Sequence, residues 1–230
     1  TLLSGSIIPC ILLANVSNNL KNKSKNFPAE KTNSVSAGDN ESNKQATGQF
    51  MNLPVTFRPN RGQWEENVLY AGSSANGNIS FLKNGLSFAH RKEISVAGNS
   101  PAKPEKKEHE ILVWNTCFKD MNPGAEVLHA EQGEGYANYF LNKDVSMGIT
   151  QVPEYKEIIY KEIYDNIDLK FYSVGNDLEY DYILRPGADM NKIKMQAEGI
   201  KKLGINMNGE LEIHTSWGIV KEKKPYAYQY

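Results

Sequence analysis

From about residue 50 onward, apolar residues recur at every second position, and Asn-Gly, Pro-Gly and Gly-Asn pairs interrupt them at short intervals. Period two is the period of a strand with one covered face, and the turn pairs supply the dihedrals that reverse a chain between strands. A sequence with this rhythm folds into hairpins. Three of them can be set in register from the residues alone. The first runs from Ile79 to Lys83, turns at Asn84-Gly85 and returns from Leu86 to His90, with Phe81 opposite Phe88 and Ile79 opposite His90. The second pairs Ile167 with Leu184, Leu169 with Tyr182 and Phe171 with Tyr180 across a loop at residues 174–177, which puts Lys170 opposite Asp181 on the other face. The third pairs Leu203 with Ile213 and Ile205 with Leu211. That register demands a three-residue loop, Met207-Asn208-Gly209, with Gly209 left-handed.

The expected fold is therefore all-β: an antiparallel, β-sandwich-like module built from successive hairpins. Twelve Tyr, eight Phe and three Trp suit such half-buried pleated surfaces. Between Tyr155 and Tyr164 the spacing of Tyr155, Ile158, Ile159 and Ile163 is mixed, and a strand followed by one short helical turn is expected there. Residues 98–107 read as a long, charged, proline-punctuated loop, and a division into two subdomains would fall near 99–108.

Residues 1–16 resemble a truncated signal peptide, with an apolar stretch too short for the about 20 residues a membrane helix takes. Residues 17–49 are rich in Asn, Lys, Ser, Ala and Glu, and read as a disordered polar tether ahead of a β-rich module at 50–230. Export to the cell surface or the extracellular space is the expectation. A formal net charge of −1 gives no field that would draw in nucleic acid, and no membrane span is expected. Of the two cysteines, Cys10 lies in the leader. Cys117 shares a strand face with Ile111 and Val113 and reads as a small buried hydrophobe.

Catalytic signatures are missing from the sequence. His90, His109, His129 and His214 are scattered, without metal-binding spacing, and no nucleophile elbow or phosphate-binding Gly-rich loop occurs. His90 reads as a strand-end residue, and His214 as facing away from Ile213. The best candidates for a site are acidic: Asp165, Asp168, Asp177, Glu179 and Asp181. Asp168, Glu179 and Asp181 could in principle serve as calcium ligands or as a carboxylate pair for glycoside hydrolysis. Alternation makes Glu179 and Asp181 an outward row, with Lys170 as partner to Asp181, so a solvated face is the simpler meaning. Asp168 follows a turn and can brace it. No catalytic residue, cofactor or metal is assigned. Trp217, in a tight turn, and Trp64 are candidate contacts for a glycan or protein partner.

Several short motifs also occur together in order. They are Phe57-Arg58-Pro59-Asn60-Arg61-Gly62-Gln63, Asn138-Tyr139-Phe140, Tyr160 and Tyr164 with Ile167-Asp168-Leu169, Leu178-Glu179-Tyr180-Asp181-Tyr182, Pro186-Gly187-Ala188-Asp189 and Lys224-Pro225-Tyr226-Ala227-Tyr228-Gln229. The series, covering Phe50 to Tyr230, resembles an uncharacterised N-terminal domain of large secreted bacterial proteins. Such domains precede bacterial β-propeller (SBBP) repeats, or PKD-like modules and a gliding-motility-associated C-terminal sorting domain. The resemblance implies export, through the type IX route in Bacteroidetes-like organisms, and partner domains downstream in the same polypeptide. It carries no ligand or catalytic residues. Gly62 and the Pro-Gly-Ala-Asp segment read as turns in their own right.

Overall fold

The computed structural model describes residues 55–74, 77–96, 106–140, 148–175 and 177–228. The expected leader and tether, and residues 98–105 of the expected loop, lie outside the described residues. Within them the chain forms thirteen strands: β1 (Phe57–Pro59), β2 (Val68–Ser74), β3 (Gly77–Leu82), β4 (Gly85–Val96), β5 (Lys106–Phe118), β6 (Glu126–Tyr139), β7 (Ile149–Tyr164), β8 (Ile167–Val174), β9 (Asp177–Leu184), β10 (Met195–Glu198), β11 (Lys202–Ile205), β12 (Leu211–Thr215) and β13 (Gly218–Glu222). All the pairings are antiparallel, and the fold is all-β as expected.

A ten-stranded sheet runs β10-β5-β4-β3-β2-β1-β7-β8-β9, with β6 also paired to β7, and β11-β12-β13 form a separate small sheet. The long strand β7 is the spine. Glu157 pairs with Ala130 of β6 and with Tyr172 of β8, while Tyr155 pairs with Gln132 of β6 and Phe57 of β1. Strands β8 and β1 thus leave the same edge of β7 at different heights, and the sheet curls into two wings.

The core fills the space between the wings. Phe57 and Phe81 from one wing, Phe171 from the other, and Tyr160 from the spine are all almost fully buried. Their rings meet edge to face: Phe57–Phe81 at 5.1 Å, Phe81–Phe171 at 5.2 Å and Phe118–Tyr160 at 5.3 Å between centroids. Each such side chain contributes about 1.5–3 kcal/mol through burial. The Tyr160 hydroxyl donates to the Leu82 carbonyl at 2.7 Å, which ties the spine to the β3–β4 turn.

Two of the three hairpins have the expected register. Ile167↔Leu184, Leu169↔Tyr182 and Phe171↔Tyr180 hold in β8–β9, whose ladder continues to Val174↔Asp177. Leu203↔Ile213 and Ile205↔Leu211 hold in β11–β12, with Gly209 at φ +80°. The first hairpin departs. Ile79 pairs with Phe88 and Phe81 with Leu86, so the turn is Lys83-Asn84 and Gly85 already belongs to β4. The reason is a close approach and not a turn dihedral: a Cβ on Gly85 would lie 2.1 Å from the Thr116 carbonyl oxygen of β5. Because each partner is displaced by two residues, the same side chains stay on the core face.

Three further expectations are corrected. Tyr155 to Tyr164 is strand throughout, and a three-residue 3₁₀ turn occurs instead at Met190–Lys192. Pairing with β8 is regular from Glu157 to Tyr160; a bulge then breaks the register before Tyr164, where Glu162 takes φ +51° and Ile163 is buried beside Tyr164. Strand β4 continues to Val96 and pairs with Lys106 of β5, so His90 lies well inside a strand and the expected loop is shorter than 98–107. The buried face of β5 carries Trp114, Thr116 and Phe118; Cys117 is only half-buried and Ile111 is exposed. Burial still pushes the Cys117 thiol up, with Glu198 adding to it against Lys119.

Candidate functional site

Asp168 is the most constrained of the acidic candidates. Its side chain is 4% exposed. One oxygen accepts from Lys161 Nζ at 2.6 Å and Arg185 Nη1 at 2.8 Å, and the other accepts the Glu162 backbone amide at 2.8 Å. Burial alone would raise its pKa, but Arg185, the Glu162 amide and Lys161 together hold it below the usual carboxylate range. Arg185 also pairs with the Glu162 side chain. The group fixes the β7 bulge and the adjoining turn, where Asn166 has φ +60°. The brace expected from sequence is present.

Its acidic neighbours have separate surroundings. Asp181 lies opposite Lys170 in the ladder, as expected, but the Lys170 ammonium is 3.2 Å from Glu157 on the other neighbouring strand. Lys170 also sits 4.9 Å above the Tyr172 ring. Desolvation first, then the neighbouring Asp181 and Glu179, raise the Tyr172 pKa. Asp165 pairs with Lys192. Asp177 is at the start of β9, away from Asp168 along the ladder. Among the described residues, no three His, Cys, Asp or Glu side chains are grouped to hold a metal ion.

The two candidate tryptophans lie in different settings. Trp217 is 37% exposed at the β12–β13 turn, where its amide donates to Thr215 Oγ1 at 3.1 Å. Trp64 packs edge-on against Tyr139 at 5.5 Å, at the end of a loop organised by Asn60. Asn60 Nδ2 donates to the carbonyls of Glu65 and Val68, and its Oδ1 accepts from Gly62, which has φ +105°. Buried Gln63 bridges Arg61 and Pro59. The Phe57–Gln63 motif is thus strand β1, with Arg58 paired to Glu154 of β7, followed by a turn at Asn60–Gln63 that closes on its own polar groups. Asp189 likewise bonds back to the Asn191 amide at 3.0 Å, beside Gly187 at φ +87°.

The sequence does not reveal a cleft that the fold forms. Residues of β13 (Val220, Lys221 and Glu222) line a cleft of about 220 Å³ together with residues of both wings. Phe88 and Trp114, a cross-strand pair on β4 and β5, stack at 4.0 Å with an 8° interplanar angle and form part of its wall. The Trp114 indole nitrogen is 3.4 Å from His90 Nε2. Across the cleft, the Tyr180 hydroxyl donates to Glu222 Oε2 at 3.1 Å, and desolvation raises the Glu222 pKa despite that bond. Phe88 and Tyr180 were legible as core-facing residues of hairpins; their meeting with Glu222 depends on how the small sheet docks, for which the sequence carries no register signal.

With this geometry in view, the chain can be compared with known families. A model of a domain of unknown function, DUF7948, matches residues 57–230, which span the whole described fold apart from two residues. The chain belongs to the DUF7948 family. The match begins at the first residue of β1 and takes in both sheets, so the braced bulge at Asp168 and the cleft beneath β13 lie within the DUF7948 region. No match was found among curated proteins or among solved structures. No helix of the described residues is long and apolar enough to cross a membrane, which says nothing of strands that cross as a barrel.

Proposed function

We propose that the chain is a non-catalytic structural and interaction module near the N-terminus of a larger exported bacterial surface protein, joined to further domains downstream. The observation that carries this reading is the bonding of Asp168. The residue best suited to acid–base chemistry or calcium is tied by two cations and one amide into a bulge of the spine strand. Such a carboxylate holds a shape. Export, SBBP or PKD-like neighbours and the type IX route rest on the leader-like segment and the ordered motifs. Surface biotinylation of intact cells producing the full-length protein tests the reading: labelling of this domain is expected, and protection in the cytosol would contradict it.

A second reading, a carbohydrate-binding or adhesin module, is favoured by the exposure of Trp217 on its turn. Glycan-array binding that Trp217→Ala abolishes, with the fold retained, would support it. Array silence would remove it. A hydrolase built on Asp168, Glu179 and Asp181 is the least supported, because it needs Asp168 released from Arg185 and Lys161.

A further inference from the structure

We infer that the cleft beneath β13 binds a small organic cation, an ammonium group on a compact apolar body, with the Glu222 carboxylate as counter-charge. Its volume of about 220 Å³ is well beyond the share of one water, roughly 30 Å³. It lies below the range of about 300–1,000 Å³ typical of drug-sized ligands. The walls are mostly apolar, with Ile79, Leu86 and Leu178 beside the aromatic residues.

Charge selects the ligand. Alternation along β13 puts Val220 and Glu222 on one face of the small sheet, opposite Ile213 and Leu211, and Lys221 on the other. Lys221, also among the lining residues, directs its ammonium to Glu210 and Glu212 at 3.5 and 3.6 Å. The Glu222 carboxylate is hydrogen-bonded by a phenol, Tyr180, which offers one hydrogen bond and no charge. A half-buried carboxylate whose bonded neighbour carries no charge gains from a cation delivered beside it. The rings of Phe88, Trp114 and Tyr180 line the same cleft, and a cation seated on an outer ring face gains an attraction that an anion does not. Asp177, also lining the cleft, has the same sign as Glu222. The inference needs only the cleft, and it stands whether or not the chain belongs to a surface protein.

Titration of the 230-residue chain with 2-phenylethylammonium and with neutral 2-phenylethanol, by calorimetry at neutral pH, tests it. The ammonium is expected to bind about tenfold more tightly than the alcohol. Glu222→Gln keeps the shape and should remove that preference while leaving the alcohol unchanged. In a Trp64→Phe, Trp217→Phe background, binding should perturb the emission of Trp114. Equal affinities for the two probes, absence of saturable ammonium binding, or an ammonium affinity unaltered in a Glu222→Gln protein of unchanged unfolding midpoint would each overturn the assignment.

Discussion

The Asp168 carboxylate accepts the backbone amide of Glu162, 2.8 Å away, at the one place where the spine strand β7 breaks register with β8. A bulge leaves an amide outside the ladder, and a buried unpaired amide costs about 1–3 kcal/mol. Asp168 satisfies it and, through Arg185 and Lys161, neutralises its own charge. Replacing Asp168 by Ala is therefore expected to lower stability by about 2–3 kcal/mol, a fall in unfolding midpoint of roughly 5–10 °C. Thermal unfolding of the variant beside wild type measures this.

Acid should act through the same residue. The folded-state pKa of Asp168 is depressed, so its contribution is fully present above the ordinary carboxylate range and is lost as pH falls through the folded value. Wild type should lose stability in that acid window more steeply than Asp168→Asn. Urea midpoints measured from neutral pH down to about pH 3 follow the difference.

Glu222 should show the opposite sign. Desolvation raises its folded pKa, so the folded state favours the protonated form and loses stability as pH rises through that value. Glu222→Gln, which stays neutral, should flatten this loss and be at least as stable as wild type at pH 8. Tyr180 retains a hydrogen-bond acceptor in that variant. Denaturant midpoints at pH 5 and pH 8 provide the check.

Gly85 faces the backbone of β5, where a Cβ would meet Thr116 O at 2.1 Å and Cys117 Cα at 3.1 Å. Backbone on both sides cannot give way as a flexible side chain would. Gly85→Ala is expected to cost about 1–3 kcal/mol by forcing β4 and β5 apart. Asn84→Ala should cost much less, because the turn is Lys83-Asn84 and Asn84 has no positive φ to support. Paired unfolding curves separate the two.

Asn138 gives an internal comparison for the bulge argument. Its Oδ1 accepts the Gln151 amide at 2.8 Å where Gln151 has φ +55°, near a register break between β6 and β7. The site is exposed, so water can replace the side chain, and Asn138→Ala should cost only about 0.5–1 kcal/mol. A loss as large as that of Asp168→Ala would mean that burial is not what separates the two.

The sequence makes local pairing legible and leaves long-range placement unread. Where both faces of a hairpin constrain the register, as with Phe171–Tyr180 and Lys170–Asp181, the pairing follows from the residues. Asn84-Gly85 misleads because glycine has two uses, and here it admits a neighbouring backbone. The mixed spacing within Tyr155–Tyr164 arises at its end, where residues 161–163 of β7 lie against Asp168 alone and Ile163 is buried beside Tyr164. Among the candidate site residues, the bracing role of Asp168 could be read from its place after a turn, but Arg185 and Lys161 as its partners could not. The cleft joins Phe88, Trp114, Tyr180 and Glu222 from four strands in two sheets, and no local pattern encodes that meeting.

The most direct test of the account is thermal unfolding of the chain in calcium and in chelator, for wild type and Asp168→Asn. If the acidic residues hold the sheet, calcium leaves the wild-type midpoint unchanged, while Asp168→Asn lowers it equally in both conditions. A calcium-dependent rise of several degrees that Asp168→Asn abolishes would contradict the account and make Asp168 a metal ligand.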